Sequence, residues 1–122
     1  MGEKVVKQIE LENNHTLEIW DCSRKIGADA YVVIMKATME IQVNEDLFAR
    51  EPISEFKFED IKRTLGDRVI YEYRLERNFI MDHEKEDILD SLVDNFMANT
   101  GKYVANPKFP ARLVLKEYKD RL

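Results

Sequence analysis

The sequence predicts an α+β fold: a curved four-stranded antiparallel sheet packed against a long helix, in the order β-β-β-α-β-α-α. Three observations carry that prediction. From Arg68 onward, Val69, Tyr71, Tyr73 and Leu75 alternate with Arg68, Glu72, Arg74 and Glu76, the period of two of a half-buried strand. Directly afterwards Ile88, Leu89, Leu92, Val93, Phe96 and Met97 recur as pairs four apart, one apolar stripe on a helix. Upstream lie three more alternating segments, and short hairpin connections imply antiparallel pairing.

Each element has its own justification. In Lys4 to Glu12, Val5, Ile9 and Leu11 point one way, and Val6, Gln8 and Glu10 the other. Asn13-Asn14 is the turn, because Asn tolerates the left-handed conformation that a tight hairpin demands. His15 to Cys22 returns with Leu17 and Ile19 on one face and Thr16, Glu18, Trp20 and Cys22 on the other. Asp21 to Asp29 reads as a connection. Ala30 to Val43 is the strongest strand: Tyr31, Val33, Met35, Ala37, Met39, Ile41 and Val43 form an unbroken apolar face. Val32 and Ile34 make the other face apolar at its start only, so the first half should be covered on both sides. Straight, this strand would span roughly 45 Å, which predicts a bend or bulge.

Asn44 to Lys57 is the longest connection and the one expected to be most mobile, with room for a turn of helix. Phe58, Ile61 and Leu65 are spaced as a short helix, with Glu59 and Asp60 in its first turn and Gly66 ending it. The strand from Arg68 is placed at the centre of the sheet. Asp82 is assigned as the N-cap of the long helix, and Gly101 as its left-handed terminating residue. Pro107 and Pro110 make Tyr103 to Phe109 an extended connector. A last helix then runs from Pro110 to about Leu122, burying Ala111, Leu115, Tyr118 and Leu122 and exposing Arg112, Lys116 and Lys119.

Length and composition bound the function. A chain of 122 residues is read as one domain, and 44% hydrophobic with 35% charged residues fits an ordinary packed core. The net charge of −5 argues against general nucleic-acid binding, which must neutralise phosphates. The single Cys22 excludes an internal disulfide and fits a reducing compartment. No apolar run reaches the length of a membrane span, and the first residues lack a signal-peptide core. The expected location is the cytoplasm.

Three constellations are candidates for chemistry. His83, Glu84 and Asp87 resemble a metal-protease spacing in which Asp87 stands where a second His belongs; acids at a helix start also answer to the dipole alone. Glu72, Arg74 and Glu76 share one strand face, and the interleaved arginine makes it a charge-paired face rather than an acid–base pair. Trp20 and Cys22 share a face and read as a pocket wall or as a minor core with the Trp ring under a helix. Charge is also segregated: Asp82 to Met97 carries −5 and Lys108 to Leu122 carries +3, so the two last helices have complementary signs.

The leading functional expectation is a small non-enzymatic interaction domain, acting on a protein partner or by self-association through a sheet face or edge. The alternative is a small-ligand-binding domain with a pocket between helix and sheet, lined by Trp20, Tyr31, Met35, Tyr71, Tyr73 and Phe96. A metal-dependent enzyme using His83, Glu84 and Asp87 ranks third. No cofactor, nucleic-acid partner or membrane is expected.

Overall fold

The computed structural model describes residues 3–49 and 56–122, so the middle of the connection expected to be mobile, residues 50–55, lies outside the described residues. The architecture is α+β, with strands and helices in the expected order. Strands β1 (Lys4–Glu10), β2 (Thr16–Asp21), β3 (Arg24–Lys25), β4 (Ala30–Gln42) and β5 (Arg68–Met81) form one antiparallel sheet. β2 and β3 follow each other along one side of β4, which gives four strand positions: β1, β2 with β3, β4, β5.

Two expectations about the sheet change. The Asp21–Asp29 connection contains the short strand β3. It is held to β4 through the Cys22 N–H donating to the Ile34 carbonyl (2.9 Å) and the Ile34 N–H donating to Ser23 Oγ (3.0 Å). The central strand is β4, not the strand from Arg68; β5 pairs with β4 alone and forms an edge. The predicted irregularity of the long strand is present as a register shift between Tyr31 and Val33, where β5 inserts an extra residue. Phe79 sits in that bulge at φ 57°, and β5 continues to Met81, beyond its alternating segment.

The helices are α1 (Phe58–Leu65), α2 (Lys85–Phe96), α3 (Lys102–Ala105) and α4 (Phe109–Asp120). α1 has the predicted bounds, with Gly66 at φ 82° after it. A 3₁₀ turn, Glu45–Phe48, supplies the helical turn foreseen after β4. α2 lies across β4 and β5 with Leu92, Val93 and Phe96 buried, as its stripe requires. Leu17, Ile19, Val33, Met35, Ala37, Met39 and Ile41 form the sheet's side of the same core. α4 packs on α1 and α3, burying Phe109, Ala111, Val114 and Tyr118.

Three helix-end assignments are corrected. Asp82 does not cap α2; it opens a 3₁₀ turn, Asp82–Glu84, and its N–H donates to the Asp29 carbonyl at 2.9 Å. Gly101 does not end the long helix. It is helical at φ −55°, and a π-helical turn, Met97–Gly101, carries the chain into α3, so Tyr103 to Ala105 is helix rather than connector. Glycine serves there by absence of volume: a Cβ on Gly101 would lie 3.1 Å from Met97 Cε. In α4, Val114 takes the buried place assigned to Leu122, which is 75% exposed because the helix ends at Asp120.

Asn13 ties the first hairpin to the far end of this helical run. Asn14 adopts the left-handed conformation (φ 65°), as the turn reading requires. The Asn13 amide donates to the carbonyl of Val104 (2.8 Å), in the last turn of α3, and to that of Asn106 (3.1 Å), which also accepts from the Phe109 N–H.

Candidate functional site

The helix–sheet interface is filled by side chains, and the clefts lie at its margins. Of the six residues expected to line a pocket, Met35 and Phe96 are fully buried in the core. Tyr31 is half-buried beneath Lys85, whose Nζ lies 4.8 Å from the ring centre. Tyr71 packs edge-on against Phe109 at 5.4 Å, and burial pushes its phenol up to about 12. Tyr73 packs against Phe96 at 5.5 Å. Trp20 lies on the opposite face of the sheet, in a small cluster with Cys22, Val32 and Ile34. The six therefore do not share one pocket; Tyr73 and Phe96 meet at the β5 margin.

The outer cluster is a minor core of Cys22, Val32 and Ile34 with Trp20 packed against it. Trp20 Nε1 donates to Thr38 Oγ1 at 2.9 Å, and Lys36 Nζ sits 4.8 Å from the ring centre while pairing with Glu3 at 2.9 Å. The Lys36 hydrogen bond and charge hold the Glu3 carboxyl below its usual range. Burial, then the Glu3 charge, pushes the Cys22 thiol up, so the protonated thiol, a poor nucleophile, is favoured. Further along this face Glu10, Glu18 and Glu40 border an open cleft of about 750 Å³. They accept hydrogen bonds from Thr16, Gln8 and Arg68, the pattern of a solvated polar surface.

His83, Glu84 and Asp87 are exposed around the start of α2. Among the described residues no three His, Cys, Asp or Glu side chains are grouped to hold a metal ion.

The β5 margin differs in kind. The Val43 N–H donates to the Asp67 carbonyl at 2.8 Å, so the backbone groups of Asp67 face β4. Alternation by two then turns the backbone of Val69, Tyr71, Tyr73 and Leu75 toward β4, and that of Ile70, Glu72, Arg74 and Glu76 away from it. Among the described residues no strand pairs with that outward row. The same even-numbered residues carry their side chains on the outer face, opposite Glu40, Thr38, Lys36 and Ile34.

A cleft of about 390 Å³ runs beside this edge between β5 and α2. Tyr73, Leu75, Leu92 and Phe96 form its apolar wall. The helix offers it Asn95, Asn99 and Thr100, a flank without charge; Glu76 and Arg77 close its far end. Apolar side chains stay exposed along the strand: Ile70 at 50%, Tyr73 at 39% and Phe79 at 79%. Phe79 in a left-handed conformation is strained for a bulky residue, and the bulge ends the regular part of the edge there.

Across the sheet, the cleft between β1 and α2 holds about 550 Å³ and is charged on both walls. β1 contributes Lys4 and Lys7, and α2 contributes Lys85, Glu86, Asp90 and Asp94, around Val6, Leu89 and Val93.

Sequence reasoning missed the edge because it requires strand order. One signal was available: Arg68 to Met81 contains no Lys, Pro or Gly, the residues that commonly blunt or break an edge. No helix among the described residues is long and apolar enough to cross a membrane. No protein-family model matches the chain, and no curated protein or solved structure matches it.

Proposed function

We propose that the chain is a protein-interaction domain that binds by strand addition along β5. One observation carries the reading. β5 presents an unpaired row of backbone donors and acceptors, among the described residues, directly beside an apolar cleft with an uncharged helical flank. Added strands take affinity from main-chain hydrogen bonds and selectivity from side-chain pockets, and this margin offers both. The depletion of charge at the cleft's helical wall is the compositional mark of an interface core. A small-ligand reading has less support, because the clefts are open and shallow beside a filled core.

The test uses the parity of the strand. The Glu72 N–H points away from β4, so Glu72→Pro removes an edge donor and no bond within the sheet. Proteins captured by the wild-type chain, its own second copy included, are compared with those captured by Glu72→Pro at equal melting temperature. Loss of specific partners with the variant is the expected result. Identical sets would show that β5 is not the binding edge.

A further inference from the structure

We propose that the partner at β5 is a second copy of this chain, the two strands pairing antiparallel about a two-fold axis through Tyr73 and continuing the sheet from one protomer into the next. The proposal rests on the strand-addition reading and specifies its occupant and register.

Charge order argues for it. Antiparallel pairing about Tyr73 sets Glu72 of each protomer opposite Arg74 of the other, so the contact contains two symmetric pairs of opposite charge on the outer face. Within one chain the same two groups are 4.0 Å apart and about half exposed, a weak contact that leaves both available. Centring the pairing on Glu72 or on Arg74 instead would place like charges face to face. Centring it on Leu75 would run the pairing into the bulge at Phe79. The Tyr73 register uses the regular part of the strand, Arg68 to Arg77, almost entirely.

Backbone parity agrees. Glu72 and Arg74 both turn their amide and carbonyl groups outward, so they form hydrogen-bonded pairs with the partner, while Tyr73 meets its own copy as the closer non-hydrogen-bonded pair. Tyr73 is on the helix face, so the two rings add to the apolar wall of both clefts. The two-fold axis stands perpendicular to the sheet, which brings the β5 sides of the two α2 helices toward each other. Those sides carry Asn95, followed by Asn99 and Thr100 of the π-helical turn, while Glu86, Asp90 and Asp94 border the cleft on the β1 side. The closest approach of the two copies therefore avoids the acidic surface of α2.

Sedimentation velocity on the full chain over a concentration series tests this with four variants: Glu72→Arg, Arg74→Glu, the double exchange Glu72→Arg/Arg74→Glu, and Glu72→Pro. The wild type is expected to form a dimer. Each single reversal should weaken it by roughly tenfold, the double exchange should restore it, and Glu72→Pro should leave a folded monomer with a cooperative melt. A wild type that stays monomeric up to its solubility limit overturns the second copy as partner. The capture comparison with Glu72→Pro then decides strand addition separately. A dimer that survives Glu72→Pro uses another surface and overturns the proposal. A dimer lost with Glu72→Pro but not restored by the double exchange overturns the Tyr73 register.

Discussion

Among the described residues the two long edges of the sheet, β1 and β5, are built on opposite principles. β1 is short, shifts register between Val5 and Lys7, and carries Lys4 and Lys7 beside a cleft with charges on both walls. Each of these features discourages an added strand. β5 is twice as long, stays in register from Arg68 to Arg77, and adjoins a cleft whose apolar wall and helical flank are uncharged. Its outer-face charges are of both signs: Arg68, Glu72, Arg74 and Glu76. The β5 bulge at Phe79 lies near the end of its strand and no lysine stands on it, so its first ten residues lack the features that blunt β1.

The largest expected effect falls on the residue shared by the core and the β5 cleft. Phe96 is 1% exposed and lies between them. Phe96→Ala should lower unfolding free energy by about 3–5 kcal/mol in urea titrations; a loss below about 1 kcal/mol would mean that the β5 margin is loosely packed. Next comes the parity of β5 itself. Tyr73→Pro removes a bond to β4 and should cost about 1–3 kcal/mol, against a much smaller loss for Glu72→Pro. Equal losses at the two neighbours would contradict the assignment of which backbone groups face outward.

On the β1 side the anchoring is by hydrogen bond. Asn13→Ala strips the hairpin of its two bonds to the Val104 and Asn106 carbonyls and should cost about 1–2 kcal/mol, visible as faster amide exchange in β1 than in β5. Unchanged exchange in β1 would show that its pairing with β2 alone holds it.

Titration gives two smaller effects of opposite sign, one on each face of the sheet. The Tyr71 phenol is raised in the fold from 10.0 to about 12, so the neutral form is favoured. Its contribution is complete below about pH 10 and is lost as pH rises toward 12. Thermal melts over that range should fall in the wild type and fall less in Tyr71→Phe. The Glu3 carboxyl is depressed by Lys36, so its contribution is present above its unfolded value of 4.5 and is lost as pH falls below it. Both partners reach solvent, so this step should shrink in high salt. A salt-independent acid transition would point to another group.

Much of the fold was legible in the residues. The Phe58, Ile61 and Leu65 spacing with Gly66 after it gave α1 its bounds, and the unbroken odd-numbered face from Tyr31 to Val43 announced β4. Asn13-Asn14 marked a turn that the backbone confirms at Asn14. Gly101 was misread because glycine is used for two reasons, left-handed backbone and missing volume, and a sequence does not tell them apart. Asp82 was misread because a helix-start residue and a strand-end residue share the same polar signature until its N–H is seen to reach Asp29. Of the proposed pocket lining, the aromatic residues were correctly found on strand and helix faces, but the face of Trp20 relative to Met35 depended on the pairing of β2 with β4.

What the sequence by itself determined is periodicity: which segments are strands or helices, and which side chains share a face. Those follow from geometry within a single element, where neighbours in space are neighbours in the chain. Strand order, and with it the identity of the edges, was decided only by tertiary structure. β4 became central because its apolar face was the longest and both its sides found partners, leaving β5 with its outer row of backbone groups turned away from the sheet. Pairing between distant segments depends on the register of backbone groups that every residue carries alike, so no local pattern specifies it.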